Sequence, residues 1–147
     1  MADMRLRPLP LLLLVPFVAA LAACASGASA GTDGPTIKPG AAFTLAPGET
    51  GRLDGGGLTV RFDEVRDDSR CPVTVNCVWA GDATVRLTIT AENAAPTAHD
   101  LHVAGTTAKT AAVPGFRVSL VGLTPERQST KPLPKDAYRA KLQVDRA

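Results

Sequence analysis

The chain has 147 residues, with 16 Lys and Arg against 14 Asp and Glu and a formal charge of +2. A leader ending before Cys24 leaves 124 residues, which suits one domain and not two. That remainder carries 14 basic and 13 acidic side chains, a balance that lacks the footprint of a nucleic-acid surface or a polybasic membrane patch. Its core must be small, since only 27 of the 124 are Val, Ile, Leu, Phe, Trp or Tyr.

Residues 1–23 begin with Arg5 and Arg7, continue with an apolar run over 9–21, and leave through Ala22 and Ala23. A charged start, an apolar middle and a small-residue exit read as an export signal. The run contains Pro10 and Pro16 and is shorter than the roughly 20 residues of a spanning helix, so it is not a permanent anchor. Leu21-Ala22-Ala23-Cys24 resembles the bacterial lipobox, at which the leader is cut and the cysteine thiol takes a diacylglyceryl group. The rival reading is a plain secretory signal. Two or more acyl chains make anchoring durable, so the lipobox implies a membrane-tethered envelope protein, on the outer membrane or on the outer face of the cytoplasmic membrane.

Residues 24–41 are rich in Gly, Ala, Ser, Thr and Pro without apolar periodicity, the composition of a flexible tether. A single β domain over 42–147 follows. Its apolar residues alternate. Leu58, Val60 and Phe62 oppose Thr59, Arg61 and Asp63, and Ala83, Val85, Leu87, Ile89 and Ala91 oppose Thr84, Arg86, Thr88 and Thr90. The same period marks strands over 116–120 and 138–144, with shorter ones over 42–45, 50–53, 75–79 and 98–103. Turn chemistry separates them at 46–49, 54–57, 80–82 and 113–115. Seven or eight short strands, mostly antiparallel, predict an all-β, Ig-like two-sheet sandwich, with a small β-barrel as the alternative.

With Cys24 committed to lipid, Cys71 and Cys77 remain, and two thiols in an oxidising compartment should pair. The seven-residue loop so closed is worth about 2.4 kcal/mol of chain entropy. Redox catalysis would call for two intervening residues rather than five, and zinc would need ligands beyond His99 and His102.

Residues 67–82, Asp-Asp-Ser-Arg-Cys-Pro-Val-Thr-Val-Asn-Cys-Val-Trp-Ala-Gly-Asp, are the least generic stretch. They resemble a motif of small exported bacterial proteins, Asp-Ser-Arg-Cys-Pro, a spacer, then Cys-Val-Trp-Ala-Gly before a strand. The resemblance extends loosely over 43–146. It implies a compact exported β domain with a disulfide, and implies no reaction. Physically the segment reads as a staple. Trp79 is expected to cover the disulfide, while Asp68 and Arg70 hold the loop by charge-assisted hydrogen bonds. The loop at 66–82 is also the candidate binding element, through Asp68, Arg70, Pro72, Asn76 and Trp79, with the segment 104–115 as a second candidate contact loop and the sheet edges beside them. Asp67, Asp68, Asn76 and Asp82 match no calcium-loop spacing.

His99 and His102 lie near Asp100, but on a strand they face opposite sides. There is no nucleophile elbow, phosphate-cradling Gly loop or zinc-protease helix. The expectation is therefore a non-catalytic binding or structural domain with no cofactor, tied to the membrane and facing an envelope protein partner. The alternative is a metal- or ligand-binding sensor or enzyme using His99 and His102.

Overall fold

The computed structural model describes residues 32–105 and 108–147. The leader, the lipobox and Cys24 lie outside the described residues. Strands β1 (Asp33–Ile37), β3 (Thr50–Leu53), β4 (Leu58–Asp68), β5 (Ala83–Ala91) and β6 (Thr97–His102) form one sheet in the order β1-β3-β4-β5-β6. Strands β2 (Ala42–Leu45), β7 (Thr110–Val113), β8 (Phe116–Thr124) and β9 (Arg139–Arg146) form the second, in the order β2-β9-β8-β7. The pairing is antiparallel except for β1 on β3. A 3-10 turn at Lys135–Ala137 is the one helical element among the described residues. The two sheets make a sandwich and do not close into a barrel.

The alternation seen in the sequence becomes the core. Every second residue of β5, from Ala83 to Ala91, is buried, and so are Leu58, Val60 and Phe62 on one side and Leu120, Leu142 and Val144 on the other. No residue among the described buried ones is polar or charged, so hydrophobic contact between two inner faces holds the sandwich.

Four boundaries differ from the sequence reading. Strand β1 covers Asp33–Ile37, inside the stretch expected as tether. Ile37 is fully buried, and a Cβ on Gly51 would come within 2.9 Å of its Cδ1. One apolar side chain seated over a glycine docks this strand, a signal too sparse for periodicity to register. Residues 75–79 form no strand, because the loop there is closed on itself by the disulfide. The candidate loop 104–115 contains β7, whose inward side chain is the small Ala111. Finally, β4 and β8 run past the points where alternation fails, through bulges between Phe62 and Glu64, between Val65 and Asp67, and between Leu120 and Gly122. Each bulge inserts a residue and resets the inward phase. Leu58, Val60, Phe62, Val65 and Asp68 thus sit opposite the buried Ala91, Ile89, Leu87, Val85 and Ala83. Glu64 and Arg66 stay exposed, and Asp68 arrives at the rim of the core.

Candidate functional site

The β4–β5 connection, 69–82, is a hairpin extension with paired arms. Ser69 N–H donates to the Asp82 carbonyl at 2.7 Å and Cys71 N–H to the Ala80 carbonyl at 2.9 Å. Cys71 and Cys77 form a disulfide across the tip, with Cα atoms 5.9 Å apart. Gly81 is required where the arms meet. Its φ is +67°, and a Cβ there would lie 1.8 Å from the Ser69 carbonyl oxygen.

Two polar clusters fix the base. On the β4 side, Arg70 donates to both Asp68 carboxylate oxygens, each at 2.8 Å, and to the carbonyls of Leu123 at 2.9 Å and Pro125 at 3.0 Å. Tyr138 Oη donates to the same carboxylate at 3.0 Å. Arg127 donates to the carbonyls of Asp68, Arg70 and Thr130. Burial pushes the Asp68 carboxyl up, but the Arg70 and Tyr138 hydrogen bonds outweigh it and hold the group below its ordinary value. On the β5 side, Asp82 accepts from Ala104 N–H at 2.8 Å and bonds His102 Nδ1. Burial again opposes and the hydrogen bonds again win, leaving Asp82 lowered as well.

One arm is also laced to the β8–β9 connection. Val73 N–H donates to the Arg127 carbonyl at 2.9 Å and Thr74 Oγ1 to the Gln128 carbonyl at 2.8 Å. The loop is therefore a rigid projection. A cleft of about 380 Å³ lies under it, lined by Arg70, Cys71, Val73, Gly81, Val103 and Leu123 among others. Arg70 and Arg127, its two guanidinium groups, already donate to protein acceptors, and Glu126 is the other charged side chain on its wall.

The residues singled out in the sequence divide here. Asp68 and Arg70 meet in the anchoring cluster and Pro72 is buried, so all three are framework. Asn76 and Trp79 are exposed, and Trp79 corrects an expectation. It does not cover the disulfide: it is 81% exposed. The anchoring cluster already fixes the loop, which leaves the indole no packing task. Val78 at 92%, Val73 and Val75 share that exposure, so four of the five exposed large apolar side chains among the described residues lie on this one loop. Sequence reasoning missed Arg127 and Tyr138, whose approach to Asp68 spans more than fifty residues of chain and leaves no local signal.

The histidine cluster disperses. His99 bonds Thr97 Oγ1, Asp100 takes Arg86 and Arg66, and His102 holds Asp82. Among the described residues, no three His, Cys, Asp or Glu side chains group as metal ligands, and no helix is long and apolar enough to cross a membrane. The chain matches no family model, no curated protein and no solved structure.

Proposed function

We propose that this chain is an envelope lipoprotein held to the membrane through acylated Cys24, and that its sandwich is a non-catalytic contact domain whose working surface is the 69–82 loop. One observation carries this reading: Val73, Val75, Val78 and Trp79 stand exposed on a loop fixed by a disulfide and two polar clusters. Apolar side chains on a rigid frame bind with little ordering cost, and a clustered apolar exposure marks a contact surface. The engagement of His99, Asp100 and His102 by separate partners favours this over the sensor or enzyme reading.

The test is an intact mass of protein extracted from its native membrane, taken first under non-denaturing conditions and then unfolded with and without reductant. The expected species starts at Cys24, carries acyl groups and gains two hydrogens on reduction. An unmodified Cys24 overturns the anchoring. A retained metal or small molecule turns the reading toward the sensor or enzyme.

A further inference from the structure

The two arms of the 69–82 loop are held in different ways. The first is laced outward: Val73 N–H donates to the Arg127 carbonyl, Thr74 Oγ1 donates to the Gln128 carbonyl, and Pro72 is buried. Across the base, Ser69 N–H donates to the Asp82 carbonyl and Cys71 N–H to the Ala80 carbonyl. The second arm has no such lacing between Ala80 and the tip. Asn76, Cys77, Val78 and Trp79 are all exposed, and none of the four makes a hydrogen bond with another described residue. Among the described residues, the bond from Cys77 Sγ to Cys71 is the one cross-connection this segment has.

The disulfide therefore restrains 76–79 rather than tying the sheets together. The base clusters, Asp68 with Arg70 and Arg127, and Asp82 with Ala104, contain no sulfur. Cys71 is also placed by its own backbone bond, which does not depend on its side chain. The two sulfurs differ in access as well. Cys77 lies in the exposed arm, while Cys71 is half-buried on the wall of the cleft, so an incoming thiolate meets Cys77 first.

We propose that the Cys71–Cys77 bond is a redox latch, opened by a dithiol donor, that frees Val78 and Trp79 from their fixed display while the sandwich and the first arm keep their structure. A donor thiolate attacks Cys77 Sγ, forming a mixed disulfide and expelling the Cys71 thiolate. The donor's second thiolate then attacks its own bonded sulfur and expels the Cys77 thiolate. The donor is oxidised to its disulfide, and its two protons end on Cys71 and Cys77. The proposal rests on the contact reading above and names its regulation: a freed segment must be ordered again on binding, so the reduced form is the weaker binder.

Full-length protein in mild detergent is treated with dithiothreitol without denaturant, and thiols are identified by mass after alkylation. Trp79 is the chain's single tryptophan, so its fluorescence anisotropy reports the second arm. The expected result is alkylation of Cys71 and Cys77, unchanged circular dichroism and hydrogen-exchange protection retained at Cys71 and Val73 N–H. With these, the Trp79 anisotropy should fall about twofold. Cys77→Ser should show the same lowered anisotropy with no reductant. Cysteines that resist alkylation until the protein is unfolded, or an anisotropy unchanged after full reduction, overturn the latch. Loss of the sandwich's circular dichroism on reduction also overturns it, and makes the bond a support of the whole domain. No readout uses the anchor or a partner, so a failed latch leaves the contact reading standing, and an unacylated Cys24 leaves the latch standing.

Discussion

Arg70 grips Asp68, two residues before it, through a planar fork closed at 2.8 Å on both carboxylate oxygens. The side chains are only 13% and 8% exposed, so this is not a surface ion pair of negligible worth. The Tyr138 hydroxyl and the Leu123 and Pro125 carbonyls supply further hydrogen bonds to the pair. Because those partners come from β8 and the connection that follows it, the pair joins the two sheets at the root of the loop.

Asp68→Asn should lower stability by about 2 kcal/mol at pH 7, the cost of leaving a largely covered guanidinium without its counter-charge. The pH dependence follows from the sign of the shift. A carboxyl held below its ordinary value when folded stabilises above the unfolded value, near 3.9, and that contribution is lost as pH falls through the folded value. Asp82 and Asp100 are lowered too, Asp100 by its Arg86 hydrogen bond, so the native protein loses stability below about pH 5. In urea titrations at stepped pH, Asp68→Asn should show a shallower acid slope than the native chain.

Ile37→Ala tests whether β1 belongs to the core. Removing a fully buried isoleucine costs about 3 kcal/mol, whereas the same change in a tether costs almost nothing. Chemical denaturation separates the two.

Gly81→Ala meets the Ser69 carbonyl at 1.8 Å and demands a positive φ of a residue with a Cβ. We expect a loss of about 3 kcal/mol, or a displaced loop visible as lost hydrogen-exchange protection at Cys71 N–H.

Cys71→Ser combined with Cys77→Ser should lower stability by about 2 kcal/mol, the loop-closure entropy of a short ring. The sandwich should persist by circular dichroism, because the base clusters do not involve sulfur.

Trp79→Ser should change stability by less than about 0.5 kcal/mol, as for an exposed residue without packing partners. Native emission in buffer should be that of a water-exposed indole and quench readily with iodide.

Local chemistry was enough to determine the class of fold, the long strands and the paired cysteines. Alternation over 83–91 survives folding because a strand's side chains point by turns to core and water whatever lies beyond them. Tertiary structure alone decided the rest. Bulges carried β4 on to Asp68 where alternation had failed at Glu64, and the docking of Ile37 on Gly51 turned part of a tether into a strand. The same held for the site. The spacing of Asp68 and Arg70 was visible in the chain, but Arg127 and Tyr138 reach them only once two sheets are stacked. The exposure of Trp79 was likewise undecidable locally, since an indole beside a disulfide packs or projects according to what else holds the loop, and here distant residues hold it.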